Sequence, residues 1–552
     1  MRMPAIMLRL IALLPSLLFL AACGNQQKSD ESGKAAASRQ TQVEAATKAG
    51  ILRLGNGSEP QELDPHIVTG VPEHHIIMAL LEGLVTYDPK DLHPLPGMAE
   101  KWEVSEDGKV YTFHIRANAK WSNNDPVTAQ DFVGSFRRIL TPSLASEYSY
   151  MLYPLEKGEA FNKGEIKDFN QVGAKAIDAR TLQITLHSPT PYFLSLICHP
   201  SWFAVHLPTV EKHGPVFERG NRWTRPENFV GNGPFKLKSW ELNKVIEVEK
   251  NETYWNAAQV KLQGIQFLPI ESEDTEERTF RAGQLHVINQ LSGPKIDAYR
   301  AQSPELLRVD PYLGTYFYML NVTNAPLKDK RVRRALAMSI DRGSLVTNVL
   351  RGGQLPAYAF TPPGTAGYTA TAAVPYDIEG ARRLLAEAGF PGGKGMVPVE
   401  ILYNTLEMHK TIAETIQQMW KKNLGIEVKL RNEEWKVYLD SKRTRQFEVA
   451  RYGWIGDYVD PNTFLDMWVT NGGNNDTGWS NAEYDRLIRE AGRTGDNTKR
   501  FEFFRQAEAI LLDECPIIPI YFYTHPFLIS PKVKGWDPTI LNIHPFQYVT
   551  LE

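Results

Sequence analysis

Across residues 331–523 the chain alternates amphipathic helices with short apolar strands, and this order limits the fold more than any other feature. Residues 331–350 read as a helix with Val332, Leu336, Ile340 and Val346 inward. Asp377 caps a second helix bearing Ala381, Leu384, Leu385 and Ala388, stopped by Gly389 and Pro391. Residues 399–402 and 426–430 read as strands around a helix over 410–422. A last long helix spans 499–513, and 517–523 form the closing strand. Such alternation predicts an α/β layer. The first half is richer in strands, over 51–54, 110–116 and 181–186, with 236–238 and 245–248 as an antiparallel pair. Helices are expected over 75–84 and after Thr128, where Asp131 gives a capping-box spacing. A chain of 552 residues exceeds one core, so two or more lobes are expected.

The N-terminus sets the compartment. Arg2 and Arg9 flank an apolar run over 10–20, too short for an ordinary membrane span. It ends in Leu20-Ala21-Ala22-Cys23-Gly24, which resembles a bacterial lipobox. Residues 1–22 are then a lipoprotein signal peptide and Cys23 the lipidated mature N-terminus. Each acyl CH₂ buried in the membrane contributes roughly 0.8 kcal/mol. Residues 23–48 are polar and read as a flexible tether. Of the remaining cysteines, Cys198 and Cys515, the spacing does not say whether they meet. A net charge of −3 without long runs of one sign points to no nucleic-acid partner.

One stretch invites a ligand. Arg451-Tyr452-Gly453-Trp454-Ile455-Gly456-Asp457-Tyr458-Val459-Asp460-Pro461 starts where a strand should stop and ends where Asp460 and Pro461 should start a helix. Asp457 has no evident structural task. A carboxylate on a glycine-flexible turn between aromatic rings suits a buried cation such as an ammonium group. The plainer alternative is an Asp that caps its own turn. With 12 Trp, 22 Tyr and 24 Phe, the chain has rings enough for a core and a large cleft.

Enzyme signatures are missing. There is no G-x-S-x-G, H-E-x-x-H or C-x-x-C. His74 and His75 point about 100° apart on a helix, and His187, His199, His206 and His213 show no metal-ligand spacing. Gly231-Asn232-Gly233 lacks the lysine and helix of a phosphate loop. No catalytic residue, metal or cofactor is therefore assigned. A tethered, two-lobed, aromatic-rich chain of this kind fits a solute receptor that closes by hinge motion.

A family resemblance rests on several segments in order: Leu63-Asp64-Pro65-His66 with Gly70-Val71-Pro72-Glu73; Lys120-Trp121-Ser122-Asn123 through Asp125-Pro126-Val127-Thr128-Ala129-Gln130-Asp131-Phe132; Thr253-Tyr254-Trp255; Val309-Asp310-Pro311-Tyr312; Tyr358-Ala359-Phe360-Thr361-Pro362-Pro363; and the 451–461 stretch. From about Ile51 onward the chain resembles the oligopeptide-binding proteins of bacterial ABC importers (solute-binding family 5). The resemblance implies an α/β, two-lobed periplasmic binding protein-like fold with three domains and a hinge. Its first lobe would hold 49–312 and 525–552, with an extra domain inserted over about 82–207, and its second 313–524.

The resemblance also implies site roles. Asp457 would grip a peptide's α-ammonium, and the backbones of Val71, Gly453 and Ile455 would pair with the extended guest. Tyr148, Trp435, Trp454 and Tyr523 would line side-chain pockets, and Arg451 and His409 would meet the carboxylate end. The implied partners are a short peptide and the ABC permease subunits. The protein would be a monomer, anchored by lipid at the periplasmic face of the cell envelope. This chain departs from the pattern at Thr69, Leu350 and Lys442, where an acid, a lysine and an arginine are common. Gly314 and Ile455 replace a cysteine pair. A murein tripeptide or a non-peptide ligand are alternatives on the same fold. A cell-envelope hydrolase is the reading of another class, and it needs a nucleophile or metal that the motifs do not supply.

Overall fold

The computed structural model describes residues 42–552; the signal segment, Cys23 and the tether up to residue 41 lie outside the described residues. The tether assignment runs too far. Residues 42–48 are helical, Val43 is buried, and its N–H donates to the Gly283 carbonyl at 3.1 Å. Thr47 Oγ1 lies 3.0 Å from His286 Nε2. A polar composition conceals a helix whose few anchoring contacts are all distant in sequence.

Three larger sheets carry the architecture. Ile51–Gly55, Gly264–Leu268, Val245–Lys250 and Phe235–Glu241 are neighbours in one four-stranded sheet. Ala99–Val104, Val110–Ile115, Thr181–Thr185 and Ala174–Asp178 make a second. Its alternating residues Tyr111, Phe113 and Ile115 are buried, as period-two patterning requires. The six-stranded sheet runs Leu355–Pro356, Ile517–Leu528, Leu307–Leu320, Val449–Ile455, Val399–Asn404, Val428–Glu433. Val399–Asn404 is parallel to both its neighbours, and the other pairs are antiparallel. Helices Lys330–Met338, Ile378–Glu387, Glu407–Leu424 and Asn497–Glu514 accompany this sheet, close to the predicted alternation.

Three boundaries differ from expectation. The helix expected over 331–350 is broken after Met338, because the Asp341 carboxylate accepts the Ser344 N–H at 2.9 Å and starts a new turn. Val332, Leu336 and Ile340 stay buried across the break, so the apolar period outlives the helix. The helix expected over 75–84 is Val71–Leu80, with Pro72 in its first turn. The strand expected to stop near Arg451 continues to Ile455. Cys198 and Cys515 are separate buried thiols.

The Leu63–His66 segment acts in the core. Asp64 accepts two bonds from the Arg138 guanidinium, at 2.9 and 2.6 Å, and one from the Trp223 indole at 3.1 Å. Both members of the ion pair are essentially unexposed. Burial alone would raise the Asp64 carboxyl, yet Arg138 beside it holds it below the usual carboxylate range. Asp64→Ala would strand a buried guanidinium, and a loss of about 3–5 kcal/mol in unfolding free energy is expected from denaturant titration.

Candidate functional site

The strand Val449–Ile455 sits between two neighbours, but only one accompanies it to its end. Leu307–Leu320 pairs with it from Leu320↔Val449 to Gly314↔Ile455, whereas Val399–Asn404 pairs only at Val449 and Ala450. Beyond Ala450 one edge therefore has no strand partner. Parity says which residues face that edge. The Tyr438 hydroxyl donates to the Arg451 carbonyl, while the Gly456 N–H reaches back to the Leu313 carbonyl at 2.8 Å. Gly453 and Ile455 share the parity of Arg451, so their N–H and C=O groups point to the unpaired edge.

Every residue that the resemblance assigned to the site lines one cavity of about 250 Å³ along this edge. Gly453 has a steric reason to be glycine. A Cβ there would stand 2.4 Å from the Tyr523 hydroxyl and 3.2 Å from Arg451 Nη2. At position 314 a Cβ would meet Ile455 Cδ1 at 2.4 Å, so the isoleucine side chain takes the room that its glycine partner leaves. Val71 is the first residue of its helix, and its N–H has no intrahelical acceptor. Trp454 is fixed by its indole N–H to the Thr463 carbonyl at 2.6 Å. Trp435 stacks on Tyr438 with centroids 5.7 Å apart.

Asp457 lies just past the strand, on the turn. Its side chain keeps 9% of its exposure. The Tyr148 hydroxyl donates to Oδ1 at 3.0 Å, the Thr463 hydroxyl donates to Oδ2 at 3.4 Å, and Thr463 Oγ1 accepts the Asp457 N–H at 2.9 Å. Burial pushes the carboxyl up to about 7, while the two hydroxyl bonds pull the other way. Sequence reasoning missed His199. Its Nδ1 accepts the Ser201 N–H at 3.2 Å, which leaves the ring proton on Nε2, 3.4 Å from Asp457 Oδ1. Burial keeps this ring neutral, pushed well below the usual histidine range, so it offers a dipole and no charge. No local pattern around His199 announces a contact with a residue so distant in the chain.

Asp460 has a structural task, although the helix starts one residue later than expected, at Asn462 with Pro461 at its N-cap. It accepts the Asn462 N–H at 2.9 Å and holds the buried Arg500 guanidinium, with Nη1 2.9 Å from Oδ2. Arg500 is thereby committed and does not serve Asp457. Arg451 is the converse of Asp457. Its Nη1 donates to Asn404 at 3.2 Å and its Nη2 to the Tyr523 hydroxyl at 3.0 Å, yet its buried Nε has no partner. Among the described residues no carboxylate pairs with it. His409 is buried with Nδ1 unpartnered, and burial, then Arg451 nearby, keeps it neutral. Of the departures, Thr69 lines the cavity, Lys442 is buried against Asp476 at 2.7 Å, and Leu350 packs in the core away from the cavity.

A family model described as bacterial extracellular solute-binding proteins, family 5 (middle), matches residues 93–476. The periplasmic oligopeptide-binding protein OppA of Salmonella typhimurium is 40% identical over 506 residues, covering 90% of this chain and 91% of its own. The chain belongs to this solute-binding family. The family's solved structures share its mixed sheet-and-helix fold. Haemophilus influenzae OppA in complex with RPPGFSPFR superposes with a TM-score of 0.85 at 36% identity, over 91% of this chain and 99% of that one. The Escherichia coli murein tripeptide binding protein MppA superposes at 0.86 with 36% identity, over 91% and 98%. Its unliganded open form superposes at only 0.61, at 35% identity over the same shares. The family members are binding proteins, and several relatives are named periplasmic. No helix among the described residues is long and apolar enough to cross a membrane.

The raised Asp457 carboxyl is directly measurable. Carboxyl-carbon NMR titration of the ligand-free protein is expected to show a midpoint near 7 that disappears in Asp457→Asn.

Proposed function

We propose that the protein captures short peptides in this cavity, by their backbone and free ends, and delivers them to an ABC importer. One observation carries the reading: among the described residues, the only formally charged ones lining the cavity are Asp457 and Arg451, each desolvated and neither holding a counter-ion. A free peptide has the matching ammonium and carboxylate. Asp457 takes the α-ammonium, with Tyr148 and Trp454 walling the niche. Arg451 takes the carboxylate, joined by Tyr523, and neutral His409 adds a hydrogen bond. Between the ends, Gly453 and Ile455 extend their unpaired edge to the guest, and Val71 donates from the opposite wall. Main-chain pairing of this kind binds many sequences, because it ignores the side chains that the surrounding pockets, Trp435 included, accept.

The distance between the charges favours a short guest. Arg451 folds back over Gly453, so its guanidinium lies about four residue steps from Asp457. That is at most ~13 Å along a strand, the span of about four extended residues. MppA, a murein tripeptide binder, superposes as well as the oligopeptide-binding relatives do, so a cell-wall tripeptide is the second reading. Mass spectrometry of whatever co-purifies with the protein distinguishes the two.

Closure is part of the reading. The chain fits MppA far better than it fits the open form of that relative, which supports two lobes, 49–312 with 525–552 and 313–524, shut on each other. Both borders lie in one strand pair, Leu307–Leu320 with Ile517–Leu528, whose register shifts between Pro311 and Thr315. That irregular stretch is the proposed hinge. The protein acts as a monomeric receptor without catalysis, held to the membrane by lipid on Cys23. Cys23→Ser is expected to move it from the membrane fraction to the soluble periplasmic fraction.

Isothermal titration tests the ammonium site. N-acetylation of a tripeptide, or Asp457→Ala, is expected to cost about 2–4 kcal/mol of binding. Equal affinity for the free and acetylated peptides overturns the assignment. The pH dependence has a definite sign. Empty Asp457 is protonated below about 7, and binding an ammonium requires its ionised form. Affinity therefore rises from pH 5 to 7 with proton release, and falls again above ~8 as the guest's amine loses its proton.

A further inference from the structure

Helix Glu273–Arg281 follows the strand Gly264–Leu268, on the side of the molecule that carries the first four-stranded sheet. Helix Glu407–Leu424 packs on the six-stranded sheet across the cavity. Their N-termini meet at one side chain. The Glu407 carboxylate accepts the Ser272 hydroxyl on Oε1 at 2.7 Å and the Glu273 N–H on Oε2 at 3.0 Å. Ser272 is the N-cap of the first helix, and Glu407 is the first residue of the second. A single carboxylate thus serves the positive ends of two helices at once.

The contact is tied to both cavity walls. Asn404, Thr405, Leu406 and His409 line the cavity beside Glu407, and Asn289 and Gln290 line it from the other side. The N–H groups of Asn289 and Gln290 are held by Glu276, one turn along the Glu273–Arg281 helix, at 3.0 and 3.4 Å.

We propose that Glu407, Ser272 and the Glu273 N–H form a clasp that holds the closed cleft shut and sets how long a guest is retained. The clasp rests on the closing-cleft reading above. It lies outside the ligand contacts, so it governs dissociation more than recognition.

The clasp has a condition attached. The Glu273 carboxyl is buried against it with neither oxygen partnered. The charged groups facing it are Glu407 across the contact, Glu276 and Asp274 on its own helix, and Lys295 on helix Gly293–Gln302. A second acidic pair spans the same junction, where burial and then Glu434 raise the carboxyl of Glu271. Burial, then Glu407, pushes Glu273 up to about 8, so the shut clasp holds it protonated at neutral pH. Opening withdraws Glu407 and admits water, which returns Glu273 toward the ordinary carboxylate range. Closure therefore takes up a proton and weakens as pH rises from that range through about 8.

Two measurements on the full mature chain test this: stopped-flow dissociation of a tripeptide, and small-angle scattering of the ligand-free protein. Glu407→Ala is expected to speed dissociation about tenfold, the worth of two hydrogen bonds at a partly exposed site, with association nearly unchanged. Its ligand-free scattering should shift toward an open form. Glu414→Ala, on an exposed face of the same helix, should change neither. Wild-type dissociation should accelerate between pH 6.5 and 9, and Glu273→Gln should flatten that rise. Unchanged dissociation and scattering in Glu407→Ala overturn the clasp. Failure of every peptide to bind would count against the peptide reading, while scattering would still decide the clasp. Arg451→Ala separates the two in the other direction: its bonds to Asn404 and Tyr523 stay within one lobe, so it should weaken binding without altering ligand-free scattering.

Discussion

The cavity depends on two unneutralised charges held in one strand and its turn. Arg451 and Asp457 are both removed from water, and among the described residues neither has an opposite charge within reach. An isolated buried ion is costly, and a fold tolerates it only when the surroundings offer dipoles in place of water. That is the office of the groups around them: two hydroxyls and an imidazole N–H at Asp457, an amide oxygen and a phenol at Arg451. They hold the ions without cancelling them. On the proposed reading, the stability forgone at the empty site returns when a guest supplies both counter-charges.

The sheet makes that arrangement rigid. Arg451, Gly453 and Ile455 sit on a strand braced along its whole length by Leu307–Leu320, which is itself braced by Ile517–Leu528. Only the far edge is left open, where Val399–Asn404 diverges after Ala450. An open strand edge is ordinarily an aggregation hazard. Here it faces into a cavity, where a guest of limited length can reach it and a second copy of the sheet cannot.

The periodic elements could be read from sequence because each depends on its own residues: the alternating strand at Tyr111 to Ile115, the capping box at Thr128, the helix that Asp377 caps. The misreadings share a different cause. The helix at 42–48 exists because Val43 finds Gly283, and the 331–350 helix breaks because Asp341 competes for the Ser344 N–H. Asp457 was legible because it lacked a local task, whereas Asp460, three residues on, had one. His199 was not, since its role depends on a tautomer set by Ser201 and a contact with a distant turn. Local patterns carry the elements, and the family resemblance carried the site. What neither carries is the protonation state of groups brought together only by folding.

Those protonation states decide what the cavity selects. The histidines facing it, including His74, His75, His199 and His409, are pushed down by burial and stay neutral. The phenols of Tyr148, Tyr521 and Tyr523 are pushed up and stay neutral as well. The electrostatic pattern of the cavity therefore reduces to one carboxyl that titrates near 7 while empty and one positive point, separated by a neutral, hydrogen-bonding edge. A guest with a single charge leaves one ion stranded, and a guest with blocked ends leaves both. A longer chain whose ends fall elsewhere must find other partners or leave the pair unmet. The proposed selection by ends, rather than by side chains, rests on which groups remain charged once the cleft has excluded water.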